Sequence, residues 1–439
     1  MSHAISEILQ FVEENDVKFI RLAFCDGSGV PKNIAIMASE LPDAMERGVS
    51  FDASAIAGFA GAEKSDLFLF PDPDTLAIFP WRPSQGCVAR FYCSIRYPDG
   101  TPFEGDGRRI LQQTVEKAAQ DGYRFLFGPE CEFYLFRTNE EGDPTLLPHD
   151  KAGYFDIAPL DHGENVRREI CLTLEEMGIR PERSHHEQGP GQNEIDFRCA
   201  SPLQAADNLM TLRTTVKAVA AQNGLFASFL PKPLADKSGS GLHINLSLFR
   251  GEENLFRDFA RNPHPTAASF LAGILSHIRE ISVFANPLPG SYRRFGSYEA
   301  PLAVSWSCEN RSQLIRVPAA HGSDCRMEVR SPDPACNPYL TVALLLEAGM
   351  EGVRQGLPLP APADFDFYNA DDCRKASLPL LPQSLGEAVD AARKSEFLHR
   401  ILPEKLLESY LGLKEKEWEA VQNSDDPVQY ESQHYFEMI

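Results

Sequence analysis

The stretch Phe127-Gly128-Pro129-Glu130-Cys131-Glu132-Phe133-Tyr134 decides how the rest of the chain is read. It alternates like a β-strand with one polar and one apolar face. Successive side chains point to opposite faces, so Glu130 and Glu132 share one while Cys131, Phe133 and Leu135 share the other. Three more stretches have this character. Asn193-Glu194-Ile195-Asp196-Phe197 points Glu194 and Asp196 together. Leu242-His243-Ile244-Asn245-Leu246-Ser247-Leu248 lines up His243, Asn245 and Ser247. Arg326-Met327-Glu328-Val329-Arg330 sets two arginines about a glutamate. Any one of these alone reads as a surface strand with its polar face in water. Four together, with strongly apolar backs and fronts that carry Glu, His and Arg but no Lys, read as one shared site.

The residue types point to a chemistry. Glu130, Glu132, Glu194 and Glu328 are hard oxygen donors and His243 adds one imidazole, a mixture that suits Mg²⁺ or Mn²⁺. Arginines grip phosphate or carboxylate with a planar fork. Carboxylate-held divalent metals with arginines nearby are the equipment of phosphoryl transfer. Two loops add to the pattern. Lys237-Ser238-Gly239-Ser240-Gly241 precedes the His243 strand, and its glycines let backbone approach a ligand. His185-His186-Glu187-Gln188-Gly189-Pro190-Gly191-Gln192-Asn193-Glu194 sets two acids about a Gly-Pro-Gly turn. Its paired histidines fit metal ligation and a structural role equally.

Working outward, the 439 residues suggest two or three domains. The 43% apolar and 24% charged content is that of a globular protein with a large core. Sixty-three acids against 42 bases give a net charge of −21, which argues against nucleic-acid and anionic-membrane partners. None of the ten cysteines forms a C-x-x-C pair, so a thiolate zinc cluster has no support. The N-terminal MSHAISEILQFVEEN is charged and amphipathic and does not read as a secretory signal. No apolar run approaches the ~20 residues of a membrane span. The expectation is a reduced, cytoplasmic protein. Residues 17–24 and 88–95 read as strands, and 164–178, 204–223, 266–284 and 338–355 as helices, with Gly178 and Gly224 as C-caps. The turn-rich Tyr97-Pro98-Asp99-Gly100-Thr101-Pro102 marks a boundary. The fold class is α+β, with an N-terminal domain over 1–100 and a larger domain over 101–439 that ends in a helical tail.

These motifs, in order and spacing, resemble the type I glutamine synthetase family, especially its Gram-positive and archaeal branch. The resemblance is carried by GPECEFYLF (128–136), AGYFDIAPLDHGENVRREI (152–170), SHHEQGPGQNEIDF (184–197), FLPKP (229–233), GSGLHINLSLF (239–249), NPLPGSYRRF (286–295), SYEAP (297–301), ENRSQLIRVP (309–318) and RMEVRSPDPACNPYL (326–340). It implies an N-terminal β-grasp domain and a catalytic domain with a curved antiparallel sheet. It also implies a homo-oligomer of two stacked rings of six, with sites between neighbouring subunits and the tail, roughly 401–439, linking the rings. By the same resemblance, Glu132, Glu187 and Glu194 hold one metal, and Glu130, His243 and Glu328 the other. Ser247, Arg316 and Arg326 meet ATP, and Arg311 steadies the transferring phosphoryl group. Gly239, His243, Arg294 and Arg330 hold L-glutamate, with Ser238 beside them. Glu299 is the flap acid. Tyr154, Glu187, Glu299 and Asp52 of a neighbouring subunit cage the ammonium. The implied reaction is ATP-dependent formation of γ-glutamyl phosphate and its capture by ammonia, giving glutamine.

The sequence departs from the family pattern mainly on the amine side. Asp52-Ala53-Ser54-Ala55 replaces Asp-Gly-Ser-Ser, and Ser238 replaces an asparagine. The 294–299 flap is one residue short. Gly61 stands where the branch often has an arginine tied to product feedback. Ammonia ligation is the first expectation. Ligation of a bulkier amine such as a polyamine, ethanolamine or an alkylamine is the alternative, and a non-catalytic ring is the remote third. The third is opposed by the six filled metal positions.

Overall fold

A computed structural model describes residues 3–56, 58–59, 65–83, 85–369 and 377–439. Gly61 and Cys373 lie outside the described residues.

The N-terminal part is built on β1 (Val17–Cys25), β2 (Pro31–Met37), β3 (Val49–Asp52), β4 (Asp66–Pro71), β5 (Ala77–Ile78) and β6 (Cys87–Arg96). Among the described residues these form one sheet in the order β2-β1-β6-β4-β3, with β5 on β6 and a parallel β1–β6 pair. Ile20, Leu22, Leu67, Leu69 and Phe91 are buried in its core. The 97–102 segment is a tight turn: Gly100 N–H donates to Tyr97 O and Tyr97 N–H to Thr101 O. Phe103 beyond it still belongs to this smaller core.

The larger part is a sheet of ten strands among the described residues: β7 (Tyr123–Thr138), β8 (Pro144–Pro148), β9 (Pro181–His186), β10 (Gln192–Phe197), β11 (Leu225–Ser228), β12 (Leu242–Arg250), β13 (Glu253–Asn254), β14 (Trp306–Cys308), β15 (Ile315–Val317) and β16 (Met327–Val329). The main order is β14-β15-β16-β12-β7-β10-β9, with β8 and β11 on β7 and β13 on β12. The sheet is antiparallel, as expected, except that β14 and β15 run parallel, which makes it mixed. Both have only three residues, roughly 10 Å of strand. The short 309–314 connection can therefore return the chain to its starting side without a crossover helix.

The apolar faces of these strands drive the packing. Cys131, Phe133, Leu135, Ile195, Leu242, Ile244, Leu246, Leu248, Met327 and Val329 are fully buried in one core. They share it with residues of the Pro202–Gln222, Pro265–Ala285 and Pro338–Gln355 helices. Each such side chain contributes about 1.5–3 kcal/mol on burial. The four helices read from periodicity are present, within two residues at either end. Gly178 and Gly224 follow two of them with φ of +80° and +67°, the left-handed C-cap geometry. The 21-residue Pro265–Ala285 helix is long and apolar enough to cross a membrane, which the sequence reading did not register. Its hydropathic window is 67% buried against the core, as expected of a core helix.

Buried polar contacts join the two parts. Tyr92 Oη donates to Asp207 O at 3.0 Å, and Arg90 Nη1 to Thr211 Oγ1 at 3.0 Å. Arg108 bridges Asp72 and Asp207 at 2.9 and 2.8 Å. The C-terminal Pro427–Tyr435 helix packs on its own chain, with Tyr435 and Phe436 buried beside Tyr134 and Phe136 of β7.

Candidate active site

Strand register assembles the polar face. On β7, Glu130 lies opposite His243 of β12, and Glu132 opposite Glu194 of β10. Asn245 of β12 faces Glu328 of β16, and Arg316 of β15 faces Glu328 from the other side. The four stretches picked out by alternation therefore meet on one surface.

Two donor sets result. In the first, ligand atoms of Glu130, His243 and Glu328 all lie within 4.8 Å of one another. This set is compensated by cations. Glu328 accepts from Arg316 Nη1 at 2.7 Å and from Arg330 Nη1. Glu130 accepts from His243 Nδ1 at 3.2 Å and from Asn245 Nδ2 at 3.0 Å. Burial alone would raise the Glu130 carboxyl. The hydrogen bond and charge of His243, with Asn245 and Arg326, outweigh burial and hold it at about 2. For Glu328 burial is likewise outweighed, by Arg330 and His243, and its carboxyl sits below the usual range.

The second set is His185, Glu187 and Glu194, again within 4.8 Å. Here the carboxylates crowd each other. Burial and Glu132 push Glu187 up to about 8. Burial, Glu132 and Glu187 push Glu194 far above the carboxylate range. Asp196, the other acid on the β10 face, is pushed to about 9 by burial and Glu194, and leans on Arg183 at 3.2 Å. Hard oxygen donors held together against their own repulsion are what a divalent cation relieves, so the residues fit Mg²⁺ or Mn²⁺.

The tightest second trio contains His185, whereas the sequence reading groups Glu132 with Glu187 and Glu194. Glu132 stands beside them, but its Oε2 is occupied. It accepts from Gln192 Nε2 at 2.7 Å and from Gly241 N at 3.0 Å. The histidine pair divides. His185 contacts Glu187 at 3.5 Å and Glu194 at 3.4 Å. His186 is buried, held by Asp150 Oδ1 at 2.9 Å and Glu187 O at 2.7 Å, and anchors the loop. Gln192 was missed by sequence reading; its only signal was its place after the Gly-Pro-Gly turn.

A cavity opens over both sets. Glu130, Glu132, Glu187, Glu194 and His243 line it, with Tyr154, Ser238, Gly239, Arg294, Glu299, Arg311 and Arg330 around them. Arg294 is 3% exposed; its Nη1 donates to Ser331 O at 3.1 Å and its Nε has no partner among the described residues. Ser240 Oγ is also buried, without a partner among the described residues. Gly239 is required here, because a Cβ would overlap both Pro231 O and the Arg294 stem. Ser238 lies under the loop, its Oγ bonded to Gln192 and its carbonyl taken by Tyr134 Oη at 2.6 Å. The flap is closed. Tyr298 Oη donates to Asp236 O at 2.8 Å, and Glu299, at φ +62°, faces Arg330 at 3.8 Å. Tyr154 stacks on Phe155 with its edge toward His185.

Further contacts tie other predicted residues to the polar face. Arg326 Nε donates to Asn245 Oδ1 at 2.9 Å, which extends the polar chain from Glu130. Ser247 is buried, with Oγ donating to Cys325 O at 3.0 Å. Arg330 Nε donates to the carbonyl of Arg311 at 3.1 Å. Asp52 is not among the cavity residues of its own chain. It sits at the end of β3, exposed, and caps Ser54 N and Oγ at 2.9 and 2.7 Å. Ala55 is exposed in the same turn.

A carboxylate-rich cavity lined also by arginines has the residue types that hold divalent cations and grip phosphate or carboxylate groups. Residues 104–434 match the glutamine synthetase catalytic domain, and residues 16–98 the glutamine synthetase beta-Grasp domain. The glutamine synthetase of Clostridium saccharobutylicum is 46% identical over 94% of each chain. That of Methanosarcina mazei is 43% identical over 99% of this chain and 98% of its own. The solved GmaS/ADP complex superposes with a TM-score of 0.86 at 28% identity, covering 97% of this chain and 98% of that one. Ligand-free GmaS does so at 0.85. The chain belongs to the glutamine synthetase family. It is a glutamate–ammonia ligase that uses ATP to make glutamine.

Proposed function

We propose that this cavity performs glutamine synthesis with the following division of labour. Glu130, His243 and Glu328 hold one divalent metal; Glu187 and Glu194, with Glu132 or His185, hold another. The bound metals supply charge neutralisation for the ATP phosphates. Arg316, Arg326 and Ser247 bind the nucleotide at the β12–β16 end of the face. Arg311 faces the γ-phosphoryl group as charge shifts during transfer. Arg294 and Arg330 orient glutamate, with Gly239 and His243 against it. The side-chain carboxylate attacks the γ-phosphorus, ADP departs, and γ-glutamyl phosphate forms. Tyr154, Glu187 and Glu299 cage the ammonium. Asp52 of a second copy takes its proton, and ammonia displaces phosphate at the activated carbonyl. Closure of 294–299 excludes water from that acyl phosphate.

The observation that supports this reading most is the paired donor sets under one cavity, one neutralised by arginines and one left short of positive charge. Asp52 outside the cavity of its own chain favours a ring of copies, and two stacked rings of six are the proposed assembly. Exposed Phe155, Ile157 and Leu160 beside Tyr154 offer apolar surface for it. The enzyme is proposed to work in the cytoplasm.

Use of an organic amine is the second reading. Ala55 lacks a hydroxyl, and Ser238 is smaller than the family's asparagine. Because Ser238 Oγ is turned to Gln192, its shortening opens little of the cavity. The retained acids favour ammonium. Phosphate release with Mg²⁺, ATP and glutamate, comparing ammonium with methylamine, ethanolamine, putrescine and spermidine, tests the choice. Ammonium as best nucleophile supports the first reading; a faster amine overturns it.

A further inference from the structure

The C-terminal helix contacts Arg293, the neighbour in sequence of the cavity residue Arg294. Glu431 is 2% exposed, and its carboxylate takes a two-pronged grip from Arg293, with Nη1 at 2.5 Å and Nη2 at 2.8 Å. The backbone of Gly290 lies against the same carboxylate, and a Cβ at Gly290 would overlap it. Arg293 directly precedes Arg294. The two share a tight segment in which Arg293 N–H donates to Gly290 O and Arg294 N–H to Ser291 O. The tail touches the site's supports twice more. Phe436 packs edge-on against Phe136, on the strand that carries Glu130 and Glu132. Ile439 O accepts from Phe229 N, in the segment leading to Pro231 and the Ser238–Gly241 loop.

We infer that Glu431 is a positioning residue for glutamate binding: through Arg293 it fixes the segment that aims Arg294 and starts the flap. The inference rests on the reading of Arg294 as a glutamate contact. A bidentate pair to a buried carboxylate fixes a guanidinium in direction as well as distance. Arg293 is thereby held on the tail side while Arg294, one residue on, enters the cavity with its Nε unpartnered among the described residues. Loss of the pair frees the segment to turn, and the cost falls on the substrate that Arg294 holds. The tail is therefore an intramolecular clamp on one substrate subsite.

The test uses the full-length enzyme and steady-state kinetics in all three substrates. Glu431→Gln keeps the shape and removes the charge. It is expected to raise the glutamate KM about tenfold while the ATP KM and kcat change less than about twofold. The charge-swapped pair Arg293→Glu with Glu431→Arg is expected to recover most of that loss, with assembly checked by size. Arg294→Lys serves as the reference and is expected to raise the glutamate KM further. An unchanged glutamate KM in Glu431→Gln, with a raised one in Arg294→Lys, overturns the inference and leaves the Arg294 reading standing. If neither variant raises it, the Arg294 reading falls and the inference with it. A parallel loss in kcat and every KM, with no recovery in the swap, marks a merely structural contact and also overturns it.

Discussion

The two donor sets lie side by side on one sheet, yet their electrostatics are opposite. Around Glu130, His243 and Glu328 the protein supplies its own positive charge through Arg316 and Arg330. Around Glu187 and Glu194 it supplies none sufficient, and the carboxyls are driven up. The difference teaches that the first set is part of the fold's own charge balance, whereas the second is assembled against its repulsion for a ligand that brings charge. A buried carboxylate with its arginines stabilises structure only as a complete group. A crowded carboxylate costs stability until a cation arrives.

The contrast can be broken by substitution. Glu328→Ala should abolish turnover, by roughly 10³-fold or more. It should also destabilise the metal-free protein by about 3–5 kcal/mol, because Arg316 and Arg330 lose their shared partner. Urea unfolding after chelation reads the second effect. Glu187→Gln should cut turnover by on the order of 10²-fold. Yet it should make the chelated protein more stable near neutral pH, by at least about 1 kcal/mol, since folding no longer has to hold a proton on that carboxyl. Destabilisation by both variants would erase the distinction.

A pH series sharpens it. The Glu187 carboxyl has a folded value of about 8 against an ordinary 4.5, so the folded chain keeps a proton that the unfolded chain releases between those values. Chelated protein should lose stability as pH rises through that window. Glu130, held at about 2, contributes stability above 4.5 that is lost as pH falls toward 2. Added Mg²⁺ should therefore raise the melting temperature more at pH 8 than at pH 5. Melting curves at both values, with and without metal, measure the gap; an equal gap would contradict the repulsion argument. The smallest effect is expected at Ser238→Asn. Its site is already occupied by Gln192 and Tyr134, so the ammonium KM should move less than about tenfold.

Much of this site was legible in the sequence because strands alternate with a fixed period. Glu130 with Glu132, and His243 with Asn245, had to share faces once the strands were accepted. The helices were legible for the same reason at a different period. Register was not legible, since nothing in either stretch alone says that Glu130 lies opposite His243 and not two residues away. Nor was the division of His185 from His186, which depends on a buried Asp150 from a distant loop. The contacts of Glu132 were not legible either, since the Gln192 amide and Gly241 N–H that meet its Oε2 come from other strands and turns. The parallel β14–β15 pair escaped because three-residue strands carry no period to read. The tail was read through a resemblance as a link between rings; its contacts with Arg293 and Phe136 emerge only from packing.

The most direct test of the account is phosphate release from ATP by metal-stripped enzyme to which Mg²⁺ is returned, with glutamate and ammonium withheld in turn. Sustained release only when metal, glutamate and ammonium are all present, with glutamine as product, is the predicted result. Equal release without metal, or no release from the complete mixture by correctly assembled enzyme, would contradict it.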